Sequence, residues 1–324
     1  MGDPLHVQAL STDDLSMVPR AGPRLASRER TPTEGTDGMP TFRTTDDVNL
    51  AYTDEGEGRP VVLVHGYTAP AASWALTIDA LLDGGYRAIA FDRRAHGESE
   101  SPAHGQRMAR HGRDLGELLA HLDLEDAVVV GASMGGNTLW AYVDQFGPAR
   151  LRAAVIVDQT PKMLNADGWE YGFYGYDPAN AGTLFAQGVP DAGRGRTVDR
   201  SAAQMLRLVE RLGGPPAFRD PSAPETLPLL ADHARQDWRD VVRRFPRPLL
   251  MLAGRESQIW PCEHAEAAVA GTPLGRALVI EDAGHAISFD QPDRFNEALL
   301  EFLAEVDGNT CAPSLSASDA ADAR

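Results

Sequence analysis

Short apolar runs recur along this chain, and segments with helical spacing of apolar residues lie between several of them. Six of the runs show no alternation of polar and apolar positions: Pro60–Val64, Arg87–Phe91, Ala127–Val130, Ala153–Val157, Pro248–Leu252 and Ala277–Ile280. Continuous runs of this kind are typical of parallel strands that are buried on both faces. Two earlier segments differ from them. Thr41–Thr44 is strand-like, and Val48–Tyr52 alternates, which predicts a half-buried antiparallel strand.

Helical periodicity is clearest in two segments. From Met108 to Leu122, and again from Phe295 to Val306, the leucines fall on one face of a helix. A third helix is indicated directly after Gly135. Strands that alternate with helices predict an α/β fold built on a doubly wound, mostly parallel sheet.

The alternation stops once, from about residue 160 to residue 245. This stretch has no buried-strand pattern and contains several aromatic residues, a helix at Ser201–Leu212 and a second possible helix at Leu227–Arg244, interrupted early by Pro228. We predict that residues 160–245 form a helical cap inserted into a core of residues 39–159 and 246–306. Residues 1–38 and 307–324 lack sustained periodicity and are predicted to be disordered.

A formal net charge of −17 narrows the choice of partners. Nucleic acids and anionic membranes both attract basic surfaces, so we expect neither as a partner. The chain has no transmembrane run of about 18 apolar residues, and it starts without the basic and apolar regions of a secretory signal. Its two cysteines are too few for a disulfide framework. We therefore expect a cytoplasmic protein that acts on a small molecule, and the oligomeric state is left open. Alanine, glycine and arginine abound and Lys162 is the only lysine, which is typical of a GC-rich bacterial genome, so we also expect a bacterial source.

The pentapeptide Gly131–Gly135 carries the clearest chemical signal. It places Ser133 between an apolar strand run and a helical segment, in a G-x-S-x-G pattern. This arrangement is typical of a nucleophile elbow, where the serine sits at the apex of a sharp turn. Small flanking residues let the strand and the helix approach each other closely. Ser133 is therefore the predicted nucleophile.

A serine hydroxyl is a weak nucleophile and needs a neighbouring base. His285 follows the last apolar run in a loop, at the sheet edge where α/β proteins build their sites. Imidazole accepts and returns protons near neutral pH, so His285 is the predicted base. The backbone N–H of Met134, directly after Ser133, is a predicted oxyanion donor. Five other histidines are assigned structural or surface roles: His65, His96, His121, His233 and His264.

Four motifs in fixed order resemble those of the α/β-hydrolase superfamily, over roughly residues 41–306. They are His65-Gly66, the segment Asp92–Ser99 (close to D-x-R-G-x-G-x-S), the elbow at Ser133 and the segment Asp282–His285. The resemblance is to the capped, serine-nucleophile branch of esterases and haloperoxidases. It implies the α/β-hydrolase fold, a Ser–His–acid triad, and the Tyr67 backbone N–H as a second oxyanion donor. A serine at the elbow argues against haloalkane dehalogenases and epoxide hydrolases, which resemble this core but use aspartate there.

The triad acid departs from the family's usual pattern. That acid follows the strand read here as Pro248–Leu252, where this chain has Ser257. A serine carries no charge to stabilise an imidazolium. Asp158, at the end of the run Ala153–Val157, is the favoured candidate because the ends of parallel strands face the active-site edge. Glu256, one residue from the usual place, is the alternative.

The sequence thus predicts a serine hydrolase for a small to medium apolar ester, lactone or thioester, with Trp169 and Tyr171 of the cap contacting the substrate. Three alternatives stay open: a cofactor-free haloperoxidase, a carbon–carbon bond hydrolase, and a non-catalytic binding protein on the same fold. No metal-binding or dinucleotide-binding motif occurs, so we expect no cofactor and no metal. His104, His111 and Asp114 are assigned to a solvated helix start.

Overall fold

A computed structural model describes residues 38–192, 194 and 201–308. The two predicted disordered tails lie outside these residues, apart from Gly38, Asp307 and Gly308. Asp307 forms ion pairs with Arg59 and Arg152 at 2.6 and 3.2 Å. The ordered core therefore extends at least one residue beyond the predicted boundary at residue 306.

One eight-stranded sheet forms the centre of the protein. Its strands in chain order are β1 (Thr41–Arg43), β2 (Asn49–Glu55), β3 (Pro60–Val64), β4 (Arg87–Phe91), β5 (Ala127–Ala132), β6 (Leu151–Val157), β7 (Leu249–Gly254) and β8 (Gly275–Ile280). Across the sheet the order is β1-β2-β4-β3-β5-β6-β7-β8. Strand β2 pairs antiparallel with β1 and β4, and every other pair in the sheet is parallel. The predicted mostly parallel α/β fold is confirmed.

Helices cover both faces of the sheet, as a doubly wound fold requires. They are α1 (Ala75–Asp83), α2 (Met108–His121), α3 (Met134–Phe146), α4 (Ser201–Leu212), α5 (Leu227–His233), α6 (Arg239–Arg243), α7 (His264–Val269), α8 (Ile287–Asp290) and α9 (Pro292–Val306). Alternate residues of the central strands enter two separate cores, one with α2 and α3 and the other with α1 and α9. None of the helices in the described part of the chain has the length and apolar character that crossing a bilayer requires.

Strand β8 differs from the prediction of a strand buried on both faces. Its residues alternate between exposed and partly buried, and Leu278 is 41% exposed. The reason is that one face is covered: Ala277 and Val279 pack against the core that includes α7, while Arg276 and Leu278 on the other face are exposed. The central strands β3 to β7 do have buried interiors, as their uninterrupted apolar runs predict.

Residues 160–245, which we call the inserted segment, connect β6 to β7. They contain α4, as predicted at Ser201–Leu212. The single helix predicted over Leu227–Arg244 is instead two short helices, α5 and α6, separated by residues 234–238. Pro228 does not interrupt α5, because it occupies the first turn, where proline costs no hydrogen bond.

Helix α3, which begins directly after Ser133, packs very closely against α2 at Gly112. A Cβ atom added there would lie 2.5 Å from the backbone carbon of Ala141 and 2.6 Å from the nitrogen of Tyr142. One turn later, a Cβ atom on Gly116 would lie 3.2 Å from the ring of Tyr142. The position of α3 therefore depends on the missing side chain at residue 112.

We expect Gly112→Ala to lower the free energy of unfolding by about 1–3 kcal/mol, because two backbones must separate. This loss should appear although alanine favours a helix over glycine by about 1 kcal/mol. Gly116→Ala is the matched control and should be close to neutral, since an aromatic side chain can move. Urea unfolding of both variants measures the difference. Equal stability of the two variants would contradict this account of the α2–α3 contact.

Candidate active site

Ser133 stands at the turn between β5 and α3 in a strained backbone conformation, with φ 50° and ψ −130°. Its N–H donates to the carbonyl of Val157 at 2.8 Å, which ties the turn to β6. A Cβ atom on Gly135 would lie 2.2 Å from the carbonyl oxygen of Val64, at the end of β3. Glycine after the serine thus allows the turn to approach β3 as the elbow motif predicts.

His285 lies in the loop between β8 and α8, with both ring nitrogens engaged. Nε2 is 2.9 Å from Oγ of Ser133, and Nδ1 is 2.7 Å from Oδ2 of Asp158. The backbone N–H of His285 donates to Oε1 of Gln258, and the ring packs edge-on against Trp260 with centroids 5.2 Å apart. Of the two candidate acids, Asp158 is the one that occupies Nδ1, and Ser133 occupies the other nitrogen.

The carboxylate of Asp158 is fully buried and has several hydrogen-bond donors. Oδ1 accepts the backbone N–H of Gly254 at 2.9 Å, and Oδ2 accepts the hydroxyl of Ser257 at 2.7 Å as well as the ring of His285. Ser257 stands where the family's usual acid was expected. Its hydroxyl therefore donates to the carboxylate of Asp158.

A second histidine, His264, faces the other oxygen of Asp158. Its Nε2 lies 3.5 Å from Oδ1, and the ring is fully buried at the start of α7. Burial alone raises the pKa of Asp158, but its interactions with His264 and His285 outweigh that effect and lower the pKa to about 2. Asp158 is therefore ionised at neutral pH. Sequence reasoning missed His264, because its helical segment carries no motif.

The two residues that carry the predicted oxyanion donors belong to different elements. Met134 is the first residue of α3, so its N–H has no acceptor within the helix and lies at the positive end of the helix dipole. Tyr67 follows Gly66 in the loop after β3. The Tyr67 hydroxyl lies 3.0 Å from both the carbonyl of Pro221 and the hydroxyl of Thr226, in the inserted segment.

A cavity of about 170 Å³ opens beside Ser133 and His285. Its lining is mostly apolar and includes Tyr67, Trp74, Ala132, Val157, Phe218, Ile287 and Phe289. Phe218 belongs to the inserted segment and Phe289 to α8. Their ring centroids are 6.2 Å apart. These two rings therefore pack next to each other where they line the cavity.

Trp169 and Tyr171, which we expected to contact substrate, are not among the residues that line this cavity. Trp169 is buried, and its indole N–H donates to the carbonyl of Lys162 at 3.0 Å. Tyr171 packs edge-on against it, with centroids 5.2 Å apart. Trp169 is therefore part of the core with the partly buried Tyr171 packed against it, and within the inserted segment it is Phe218 that lines the cavity.

The start of α2 is buried, in contrast to the solvated helix start expected for His111 and Asp114. Asp114 forms ion pairs with Arg94 at 2.6 Å and with Arg110 at 2.7 Å, and His111 is buried. In the part of the chain that the structure describes, no three metal-ligating side chains form a cluster.

Residues 59–292 match the family described as alpha/beta hydrolase fold. The chain belongs to this family. It is 30% identical to the non-heme chloroperoxidase CPO-A1 of Kitasatospora aureofaciens, over 82% of this chain and 99% of that protein.

Solved structures show the same relationship. A bromoperoxidase from Bacillus anthracis matches with a TM-score of 0.66 at 27% identity, over 79% of this chain and 96% of that one. A thermophilic esterase from Thermogutta terrifontis matches with a TM-score of 0.65 at 26% identity, over 83% and 98%. The α/β-hydrolase is thus similar to enzymes named for two activities, and the predicted esterase- and haloperoxidase-like branch is confirmed.

The pKa of Asp158 has a consequence for stability. Because about 2 lies below the value near 3.9 of an unfolded chain, ionised Asp158 stabilises the folded protein above pH 4, and the effect is lost as the pH falls towards 2. When the pH is lowered from 5 to 2, we expect the unfolding free energy of the wild-type protein to fall by about 2 kcal/mol more than that of Asp158→Asn. Urea unfolding at a series of pH values measures this. Parallel acid profiles for the two proteins would show that Asp158 is not held ionised by its neighbours.

Proposed function

We propose that this α/β-hydrolase cleaves a small ester, lactone or thioester by transferring the acyl group to Ser133 and then to water. The observation that carries the proposal is the unbroken line of contacts from Ser133 Oγ to His285 at 2.9 Å and from His285 to Asp158 at 2.7 Å. A nucleophile, a base and an orienting carboxylate in this order are what acyl transfer requires.

In the proposed first half-reaction, Ser133 Oγ attacks the substrate carbonyl while His285 Nε2 takes its proton. Buried, ionised Asp158 stabilises the resulting imidazolium through Nδ1. The negative oxygen of the tetrahedral intermediate accepts the N–H groups of Met134 and Tyr67. The leaving alcohol or thiol then receives the proton from His285, which leaves an acyl-enzyme.

In the second half-reaction, His285 removes a proton from water, which attacks the acyl carbon. The second tetrahedral intermediate forms at the same site and collapses to release the acid. The proton returns through His285 to Ser133. The same three residues and the same oxyanion donors therefore serve both half-reactions.

We propose that the part of the substrate that binds in the cavity is small and apolar. At about 170 Å³ the cavity lies below the range of about 300–1,000 Å³ typical of drug-sized ligands. The neighbouring rings of Phe218 and Phe289 form part of its wall. Because Phe218 comes from residues 160–245, we assign the inserted segment the role of a substrate-selecting cap.

A second candidate activity is favoured by the relatives named as chloroperoxidases and haloperoxidases. If hydrogen peroxide replaces water in the second half-reaction, Ser133 is released and the acyl group leaves as a peracid, which can oxidise a halide. Both candidates share the acyl-enzyme. They differ in the product formed when peroxide is present.

We expect hydrolysis of p-nitrophenyl acetate and butyrate to be abolished in Ser133→Ala, because no other group in the proposed mechanism attacks the carbonyl. The wild-type protein should prefer these short esters to p-nitrophenyl octanoate, whose chain exceeds the cavity. Spectrophotometric release of p-nitrophenol measures both effects.

A fluorophosphonate probe provides the control, because it labels an activated serine irrespective of the natural substrate. Labelling of the wild-type protein and loss of labelling in Ser133→Ala support the proposal. A folded protein that is not labelled, and that hydrolyses none of these esters, would instead support a non-catalytic binding protein.

Asp158→Asn should lower kcat by about 10³–10⁴, as loss of a triad acid does, because asparagine favours the wrong tautomer of His285. Glu256→Gln is the matched control in the same region and should retain most of the activity. Steady-state kinetics of both variants on p-nitrophenyl butyrate compare the two candidate acids. The reverse ranking would assign the acid to Glu256.

A further inference from the structure

A fully buried arginine, Arg93, lies behind the loop that carries Tyr67. Its Nη2 donates to the carbonyl oxygen of Gly66 at 2.8 Å. Its Nη1 lies 3.4 Å from both the ring of His111 and the hydroxyl of Thr138. The shortest contact of this guanidinium is therefore to a backbone carbonyl.

In the described part of the chain, no carboxylate lies within ion-pair distance of Arg93. Its sequence neighbour Arg94 pairs with Asp46 and Asp114, and Arg110 pairs with Asp114 and Glu117. A buried charge without an opposite charge in contact is costly, so the polar groups around Arg93 must compensate. The nearest of these groups is the Gly66 carbonyl.

The histidines around Arg93 are neutral at neutral pH, so the positive charge in this group of side chains is that of the arginine. Burial, together with the charge of Arg93, lowers the pKa of His65 and His111 well below the usual range and that of His96 to about 3. Burial also lowers the pKa of Arg93, to about 9, which leaves it charged at neutral pH.

A second donor shares the Gly66 carbonyl. The backbone N–H of Arg93 donates to Nε2 of His65 at 3.0 Å, so the hydrogen of this neutral imidazole is on Nδ1. Nδ1 in turn donates to the Gly66 oxygen at 2.8 Å. Arg93 therefore acts on this oxygen twice, directly through its guanidinium and indirectly by fixing the tautomer of His65.

The carbonyl of Gly66 and the N–H of Tyr67 belong to the same planar peptide group. Hydrogen bonds to the oxygen of an amide polarise the group and strengthen its N–H as a donor, and a charged donor does so more than a neutral one. In a buried site this polarisation is poorly screened. The charge of Arg93 thus reaches the side of the peptide that faces Ser133 in the proposed mechanism.

We propose that Arg93 is a positioning residue of the oxyanion hole, which orients the Gly66–Tyr67 peptide and strengthens the Tyr67 N–H towards the developing negative charge. This inference rests on the proposed function. It adds a specific role for a buried cation that does not contact the substrate.

The test replaces Arg93 with glutamine, which keeps a hydrogen-bond donor but removes the charge. Removing a whole oxyanion donor costs about 10²–10³ in kcat, so weakening one should cost about 10-fold to 100-fold on p-nitrophenyl acetate with KM unchanged. A trifluoromethyl ketone forms an oxyanion upon addition of Ser133. Its inhibition constant should rise by the same factor as kcat falls. Arg93→Lys, which restores a cation, should recover most of both losses.

Rates are divided by the concentration of active Ser133 measured by titration with a fluorophosphonate. An unfolded fraction of the protein therefore does not lower the normalised kcat. Arg93→Met is the second neutral variant, for use if the glutamine variant does not fold. Arg110→Gln is the matched control, because it removes a neighbouring buried cation whose partners are acids. It should leave the normalised kcat and the inhibition constant unchanged.

Normalised kcat and inhibition constants equal to those of the wild type in the neutral variants would overturn the inference. A loss of activity in Arg93→Lys as large as that in Arg93→Gln would also overturn the inference, because the shape of the arginine side chain rather than its charge would then explain the loss. Failure of the proposed function is a different result, namely hydrolysis that survives in Ser133→Ala. If Ser133 is essential and the ketone binds irrespective of residue 93, only the role of Arg93 is wrong.

Discussion

The buried carboxylate of Asp158 is the interaction on which the rest of the site depends. It stands at the end of β6, yet its partners come from β7, from the loop after β7, from α7 and from the loop after β8. An ion without water around it must be satisfied by donors from the protein, and here each donor belongs to a different segment. The carboxylate therefore holds together the loops that place His285, in addition to orienting the ring.

The sequence predicted the central sheet well, because strands buried on both faces leave uninterrupted apolar runs such as Pro60–Val64, which matches β3 at both ends. It failed at β8, where one face of the strand is left uncovered. The predicted substrate contacts of Trp169 and Tyr171 stay predictions, although neither residue lines the cavity beside Ser133. The order of the motifs anticipated the contact between Ser133 and His285. Their catalytic roles stay predictions.

Other features of the site could not be read from the sequence, because they are contacts between distant segments. His264 and Ser257 meet Asp158 across about 100 residues of chain. His264 belongs to no recognisable motif, and the motif position of Ser257 does not reveal which carboxylate its hydroxyl contacts. Arg93 and Arg94 are adjacent and chemically identical, yet one contacts a peptide carbonyl and the other two carboxylates. Only the fold decides which neighbour each of them has.

The hydroxyl of Tyr67 has a consequence for how such proteins are engineered. Tyr67 is the proposed second oxyanion donor through its backbone N–H, while its hydroxyl reaches Pro221 and Thr226 in the inserted segment. A chimera that exchanges residues 160–245 for those of a relative would replace the side chain of Thr226 and the loop that presents the Pro221 carbonyl. The inserted segment is thus not an independent module, and a graft that keeps Thr226 keeps the side-chain partner of the Tyr67 hydroxyl.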